Sequence, residues 1–366
     1  MTSAVNLTRL RLAAQLIEGS RFSTPGEVVR WLLAIQAQDL PGAEWSVGLR
    51  APGTTLREVD AALSRGEIVR SWPMRGTLHL VPAEDIGWMV GLTSERTIRS
   101  LARRYDELGL EPGTFKQAQE VAVTALEGGR TLSRASLFET FETAGISTAG
   151  QRGPHILGHL HQRGTLVLGP VHGTGQHVVL HDEWVREARQ PERDEALGEW
   201  VLRYFRSHGP ATVKDFTWWT KLTVRDARIG LAIARDQLEQ TTVDDVSYWM
   251  APGLPDRASR RVHALPGFDE YLLGYQDRGA ALDPANAQVV VPGNNGVFQP
   301  TIVVKGRVVG TWRRKVTPSG ITLTPRPFAS LSDATLAAFG KSVAAYGRFL
   351  GAAAQVADQD VHPDRT

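Results

Sequence analysis

The stretch Glu67-Ile-Val-Arg-Ser-Trp-Pro-Met-Arg-Gly-Thr-Leu-His-Leu-Val81 predicts two short strands, Glu67–Trp72 and Thr77–Val81, with Pro73-Met74-Arg75-Gly76 between them. Proline and glycine favour a turn between such apolar runs. Working outward, three helical stretches precede this hairpin: Leu7–Glu18, Gly26–Ile35 and Leu56–Ser64. The first two carry apolar residues at helical spacing. Three helices followed by a hairpin predict a winged helix-turn-helix.

The same order of elements recurs twice further along the chain. The second occurrence consists of helices Ser133–Ala144 and Gly150–Arg163 and strands Thr165–Gly169 and Gln176–Leu180. The third consists of helices Glu195–Ser207, Thr212–Trp219 and Thr223–Gln237 and a strand that ends at Tyr248-Trp249. No strict sequence repeat accompanies the pattern. We therefore expect three related modules that differ in sequence.

Strand-forming residues dominate the last part of the chain. Valine, isoleucine and threonine predict strands at Gln288–Val291, Gln299–Val304, Arg307–Arg313 and Ile321–Thr324, and Lys305-Gly306 is predicted to form the turn between the second and third of them. A closing helix is expected over Asp333–Ala354, and the polar end from Ala352 to Thr366 is expected to be a frayed tail. The predicted fold class is α+β, with winged helices at 1–82, 83–190 and 191–255 and a small β unit with the closing helix at 256–366.

Composition restricts the function classes without choosing one. The 366 residues include no cysteine, which excludes disulfides and thiolate-bound metal sites and fits a cytoplasmic protein. Neither a signal peptide nor a membrane span is evident. The formal net charge is only +2, but most of the cations are arginine, which suits bidentate phosphate contacts. On composition alone, an enzyme and a binding module remain equally open.

Two glutamines with one alanine between them are the most informative polar residues. Gln36 and Gln38 flank Ala37 at the end of a predicted helix, before a turn expected at Pro41-Gly42. Their amides face one side only if the backbone has left the helix there, and each then offers a donor and an acceptor to a cleft. The alternative is that they cap the helix or bind the following loop. The adjacent Asp39 is expected to act as a cap or turn residue rather than as a base.

Several blocks resemble the AlkZ-type winged-helix DNA glycosylase family over essentially the whole chain. They are Gln36-Ala-Gln-Asp39, Ser71-Trp-Pro-Met-Arg-Gly-Thr-Leu-His-Leu80, Pro266-Gly-Phe-Asp-Glu-Tyr-Leu-Leu-Gly-Tyr-Gln-Asp-Arg278 and Gly306-Arg-Val-Val-Gly-Thr-Trp-Arg313. The resemblance implies three tandem winged-helix motifs in a C-shaped array around a basic surface for double-stranded DNA. It also implies hydrolysis of the N-glycosidic bond of alkylated purines, without metal or cofactor.

The resemblance places the active site at the glutamines. The family's glutamine–aliphatic–glutamine motif falls on Gln36, Ala37 and Gln38, and Ala37 is smaller than the usual aliphatic residue. A second branch of the family has aspartate at the last position. Gln38 instead resembles the branch associated with self-resistance to DNA-crosslinking natural products such as azinomycin. No lysine is near the motif in sequence, which predicts a monofunctional enzyme that forms no Schiff base.

Candidate DNA contacts are spread over three elements. Arg75 lies at the tip of the first hairpin, and Arg313 and Arg314 precede Lys315 in the most basic run. The helix in the recognition position of the second module carries Arg152, His155, His159 and Arg163, and the glycine-rich hairpin after it carries His172 and Gln176. An ordinary wing loop is the alternative for that hairpin. The histidines of the helix do not suggest a metal site, because His161 points away from the other two.

Two further expectations concern the acidic block and the rival function. Phe268, Asp269, Glu270, Tyr271 and Asp277 form an acidic and aromatic patch, for which we expect a structural role bracing the first module against the third. The rival to an enzyme is a winged-helix transcription regulator without catalytic activity. Against it stands the long chain without an obvious dimerisation helix or ligand domain. We expect a monomer with an open, cleft-like site.

Overall fold

A computed structural model describes residues 4–173, 175–257, 261–318 and 320–361, with side chains from Leu7 onward. Its helices are α1 (Ala4–Ala14), α2 (Pro25–Leu32), α3 (Leu40–Arg50), α4 (Leu56–Ser64), α5 (Ile86–Glu107), α6 (Pro112–Leu126), α7 (Arg134–Thr143), α8 (Arg152–Gln162), α9 (His181–Trp184), α10 (Arg193–His208), α11 (Val213–Thr220), α12 (Val224–Ala234), α13 (Glu270–Leu273), α14 (Ala287–Val290) and α15 (Asp333–Leu350). Its strands are β1 (Ile35–Gln36), β2 (Ile68–Met74), β3 (Thr77–Pro82), β4 (Leu132–Ser133), β5 (Leu166–His172), β6 (Gly175–Leu180), β7 (Glu239–Val243), β8 (Val246–Met250), β9 (Val262–Leu265), β10 (Thr301–Val304), β11 (Arg307–Thr317), β12 (Gly320–Pro327) and β13 (Ala354–Val356). The α+β class is confirmed, whereas the four module boundaries stay a prediction.

The chain forms two compact units. The first unit comprises Met1–Val59, Leu197–Trp219 and Thr223–Thr366, and the second comprises Asp60–Ala196 and Thr220–Leu222. The first unit therefore combines both ends of the chain with a central segment.

The second unit is built on an antiparallel sheet in the order β3-β2-β5-β6-β4. Helices α5 to α8 pack their apolar residues against it, and its core includes Phe115, Phe141, Leu160 and Leu166. Both hairpins of this sheet lie where the sequence predicts them. The first turn closes because Arg75 and Gly76 adopt positive φ angles there.

The first unit contains a sheet in the order β13-β12-β11-β10-β9, beside the separate ribbon β7–β8. Lys305 and Gly306 both have positive φ angles and form the predicted two-residue turn between β10 and β11. The neighbours are antiparallel except β12 and β13, which run parallel. The core of this unit includes Leu12, Leu265 and Tyr271.

Three elements differ from the sequence prediction. The predicted strand Gln288–Val291 is wrong: a 3-10 turn begins at Pro284, where the Asp283 side chain caps the Ala285 N–H, and the helix α14 follows. The predicted turn at Pro41-Gly42 is the first turn of α3, where a proline needs no intrahelical hydrogen bond. The closing helix ends at Leu350, where Gly351 adopts a left-handed conformation, and β13 follows it. The expected fraying was therefore wrong for β13, and residues 362–366 lie outside the described ranges.

Candidate active site

The segment that carries the two glutamines is not helical and lies between two helices of the first unit. Helix α2 starts with a capping box in which Thr24 and Glu27 bond reciprocally, and it ends at Leu32. Leu33 then takes a φ of 66°, and Ile35–Gln36 forms the short strand β1. The backbone has therefore left the helix before Gln36, which is the condition required for the two amides to face one side.

Burial differs along this segment. The Gln36 side chain is 6% exposed and Ala37 is fully buried, whereas Gln38 is exposed. Asp39 follows as the N-cap residue of α3, with an extended backbone, so its predicted position as a cap is confirmed although its side chain makes no capping hydrogen bond. The motif thus presents one sheltered and one solvent-facing amide.

Glu270, from the acidic patch, binds the main chain of the glutamine segment. Its Oε1 accepts the N–H of Gln36 at 3.0 Å, and its Oε2 accepts the indole N–H of Trp219 at 2.9 Å. The Glu270 side chain is completely buried. One carboxylate thus joins residues 36 and 219, as expected of a brace between the first and third predicted modules.

Asp269, the preceding residue, binds the helix that follows the glutamines. Its carboxylate makes two 2.8 Å contacts with the guanidinium of Arg50, in the last turn of α3, and accepts the hydroxyl of Ser46 at 2.7 Å. Burial by itself raises the pKa of the Asp269 carboxyl, but the charge of Arg50 and the hydrogen bonds it receives hold that pKa below its usual range. The ion pair is almost completely withdrawn from solvent.

Gln15, at the end of α1, connects the two acidic contacts. Its amide nitrogen donates to the main-chain carbonyl of Glu270 and its amide oxygen accepts from Arg50, both at 3.0 Å. The same nitrogen donates to the hydroxyl of Tyr275 at 3.0 Å. Burial raises the pKa of the Tyr275 phenol, which donates in turn to the carbonyl of His208 at 2.6 Å. The network therefore fixes the residues around the glutamines from several sides.

We use the name acidic clamp for Asp269 and Glu270 together. Glu270 binds Gln36, the first residue of the motif, and Asp269 binds Ser46 and Arg50 in α3, the helix that follows the motif. Both residues belong to the acidic and aromatic patch predicted from the sequence, but their partners Arg50 and Ser46 were not predicted. An arginine four residues after a serine in α3, so that both lie on one face of the helix, was the available signal.

The predicted DNA-contacting residues of α8 are engaged within the second unit. Arg152 donates to the main-chain carbonyls of Leu108, Gly109 and Ser147, and Arg163 forms an ion pair with Glu95 at 2.7 Å. The remaining two are histidines in aromatic contacts: His155 meets Tyr105 edge-on and His159 stacks on Phe115. Burial, and then the charge of Arg163, lower the pKa of His159 to about 4. These four positions stay a prediction as DNA contacts.

The two hairpins of the second unit carry three more predicted contacts. Arg75 lies at the turn between β2 and β3, with Nη2 3.0 Å from Nε2 of His79. His172 is exposed near the end of β5, with its ring centroid 4.2 Å from that of His177. Gln176 accepts a hydrogen bond from Arg70 at 3.0 Å. Thr174, at the hairpin tip, lies outside the described residues.

The basic run on β11 belongs to the first unit and is divided between two faces of the strand. Arg314 donates to the hydroxyl of Tyr346 at 2.7 Å. Because side chains alternate along a strand, Arg313 and Lys315 point to the opposite face. All three are exposed.

Neither a metal centre nor a membrane segment is found in the described ranges. There, no three histidine, aspartate or glutamate side chains are grouped so that they could hold a metal ion. None of the helices within those ranges has both the length and the apolar character needed to cross a membrane.

Comparison with known proteins identifies the family. The chain is 26% identical over 340 residues to an interstrand DNA cross-link repair glycosylase of Streptomyces sahachiroi, with 87% of this chain and 89% of that protein covered. The solved structure of the Streptomyces sahachiroi DNA glycosylase AlkZ superposes with a TM-score of 0.79 at 24% identity, covering 98% of this chain and 99% of the other. A profile of the DNA glycosylase AlkZ-like family matches residues 29–349. The chain therefore belongs to the DNA glycosylase AlkZ-like family.

Proposed function

We propose that this protein is a monofunctional DNA glycosylase that hydrolyses the N-glycosidic bond of N7-alkylated purines. The observation that carries the proposal is the Gln36-Ala37-Gln38 segment, which begins in the short strand β1, in a chain whose residues 29–349 match the AlkZ-like family. The substrates include bulky adducts or interstrand crosslinks left by a DNA-alkylating natural product, and the biological role is self-resistance or DNA repair. The similarity to an interstrand DNA cross-link repair glycosylase of Streptomyces sahachiroi supports the crosslink assignment.

The proposed reaction does not require a strong general base. An N7-alkylated purine is cationic, so it leaves without prior protonation when its bond to C1′ breaks and takes the bonding electron pair. Water forms the new bond at C1′ and loses a proton to solvent, leaving an abasic site and a neutral alkylated base. The two glutamine amides orient this water and present carbonyl dipoles to the positive charge that develops on the sugar.

The proposed DNA-binding surface uses tandem winged helices. In the second unit, α7, α8 and the hairpin β5–β6 follow the order of such a motif, and β5–β6 with His172 would enter a groove of the duplex. Arg313 and Lys315 on the exposed face of β11 would contact phosphates. Arg152 contributes to the fold of its own unit before any DNA is bound.

The decisive experiment measures release of 7-methylguanine from methylated duplex DNA, and unhooking of an N7-linked crosslink, under single-turnover conditions. We expect release by the wild type and loss of at least about 100-fold in Gln36→Ala/Gln38→Ala. Gln240→Ala, at an exposed glutamine of β7 bonded to Ser247, is the matched control and retains the rate. Borohydride should trap no covalent DNA adduct.

Two results would contradict this proposal. A wild-type protein that binds duplex DNA but releases no base from either substrate would favour a winged-helix regulator, or an enzyme reserved for one natural-product adduct that neither substrate mimics. Full activity in the double glutamine variant would locate the catalytic centre elsewhere.

A further inference from the structure

Burial of the Glu270 carboxylate has a free-energy cost. Its carboxylate has no solvent exposure, and moving a charge out of water is costly unless it is paired and hydrogen-bonded. An apolar residue of similar volume would avoid that desolvation cost, but it would leave two buried N–H donors without an acceptor. The reason for a carboxylate must therefore be found in what its two oxygens hold.

The two oxygens hold donors from different parts of the chain. Oε1 accepts the Gln36 N–H and Oε2 accepts the indole N–H of Trp219. An ionised carboxylate offers acceptors at both atoms, whereas an amide offers an acceptor at one and a donor at the other. Only aspartate or glutamate can satisfy both N–H groups at once, and only the longer glutamate has this reach.

We propose that Glu270 is a positioning residue for the glycosylase reaction: its buried carboxylate holds the main chain at Gln36 so that the Gln36 and Gln38 amides are correctly placed. This inference rests on the proposed function. Asp269 supports it by tying the adjacent main chain to Arg50 in α3. The acidic clamp thereby holds the first residue of the motif and the helix that follows it, through two buried carboxylates.

His208 lies beside the Glu270 carboxylate, and both side chains are fully buried. The Ser207 hydroxyl donates to the Arg203 carbonyl at 2.7 Å and lies 2.8 Å from Nδ1 of His208. Nε2 of the same ring lies 3.6 Å from Oε2 of Glu270, with no hydrogen-bond partner among the described residues.

The experiment compares the full-length wild type with Glu270→Met, Glu270→Gln and Asp85→Asn. Methionine fills the volume without an acceptor, and glutamine keeps one acceptor. Asp85 is the matched control, because it is a fully buried carboxylate of the second unit that also accepts an indole N–H, from Trp88 at 2.9 Å. The readouts are the single-turnover rate of 7-methylguanine release, the Kd for the same DNA, and amide hydrogen exchange of the peptide that contains Gln36.

The positioning role predicts a separation of rate from binding. We expect Glu270→Met to release base about 100-fold more slowly, since a displacement of about 1 Å costs that much, while the Kd changes less than about threefold. Exchange at the Gln36 amide should accelerate about tenfold as its acceptor is lost. Glu270→Gln should recover part of the rate, and Asp85→Asn should match the wild type per folded molecule.

The proposal is overturned if Glu270→Met keeps its rate within about threefold of the wild type, if Gln36 exchange is unchanged, or if Asp85→Asn loses as much activity. Failure of the proposed function looks different, because then the wild type itself releases no base. In that case amide exchange alone decides whether Glu270 holds Gln36. Faster exchange of the Gln36 amide in Glu270→Met would support the contact, and unchanged exchange would exclude it.

Discussion

Breaking the Arg50–Asp269 ion pair tests how the first unit is held together. Arg50 is fully buried, and besides Asp269 its guanidinium contacts the Gln15 carbonyl, the Gln15 side chain and the Ser46 carbonyl. Removing one partner of a buried pair leaves an uncompensated charge, which costs about 3–5 kcal/mol. We therefore expect Arg50→Met and Asp269→Asn each to lower the free energy of unfolding by that amount.

The double variant distinguishes a paired charge from two separate contributions. Independent effects would add to about 6–10 kcal/mol. In Arg50→Met/Asp269→Asn neither charge remains, and the introduced asparagine side chain still caps α13 by accepting the Tyr271 N–H, as Asp269 does at 2.9 Å. We expect the double variant to lose about 3–5 kcal/mol, so the coupling energy is about 3 kcal/mol or more.

The assay is urea denaturation followed by circular dichroism and tryptophan fluorescence, at about pH 5 and pH 8. In Arg50→Met, burial without a cation raises the pKa of Asp269, so the stability of that variant falls as the pH rises and its deficit is larger at the higher pH. The Arg326–Asp360 pair, at 2.7 Å and partly exposed, is the control, and Arg326→Met should cost about 1 kcal/mol or less. Additivity of the two single variants within about 0.5 kcal/mol would refute the reasoning.

Three further predictions concern other parts of the molecule. Burial, and then the charge of Arg70, lower the pKa of His161 to about 3, whereas the unfolded side chain titrates near 6.5. Between these two values the unfolded state binds a proton that the folded state does not, so the free energy of unfolding should fall as the pH drops from about 6.5 to about 3, by up to about 1.4 kcal/mol per pH unit. The fall should be less steep in His161→Phe, and equal slopes in the two proteins would exclude His161 as the cause. A Cβ at Gly48 would overlap the ring of Phe349, so Gly48→Ala should destabilise by about 1–3 kcal/mol in thermal unfolding, whereas Gly91→Ala, with open space in α5, should stabilise by about 0.5–1 kcal/mol. Arg313→Ala should reduce the slope of log Kd for duplex DNA against log salt by about one; an unchanged slope would remove Arg313 from the DNA-binding surface.

The sequence predicted correctly those elements that depend on neighbouring residues in the chain, such as hairpins formed by turn residues. The hairpins β2–β3 and β10–β11 lie where the turn residues predict them, because Gly76 and Gly306 adopt the positive φ that such turns require. Helix α3 was missed because Gly42 resembles a turn residue. Gly42 is instead required by crowding, since a Cβ at this position would lie 2.6 Å from Oδ2 of Asp39 and 3.4 Å from the carbonyl oxygen of Gly267.

The candidate site was predictable only in part. Gln36 and Gln38 could be selected by their spacing and by the family resemblance, and the expected departure from the helix before Gln36 is confirmed. The contacts of Glu270 could not be predicted, since the residues it joins are far apart in sequence and no pattern indicates their proximity. The valines of α14 predicted a strand, which was wrong. Their strand propensity was overridden by the Asp283 cap and by the complete burial of Val290.

The hydrogen bond between Gln36 and Glu270 spans 234 positions of the chain, and this has a consequence for biosynthesis. At translation rates of about 5–20 residues per second, Glu270 is made roughly 10–50 s after Gln36. A nascent or truncated chain that stops before residue 270 carries the glutamine motif without its acidic clamp. Such a chain should show little base-releasing activity, so abasic sites would be produced only by chains whose synthesis has passed residue 270.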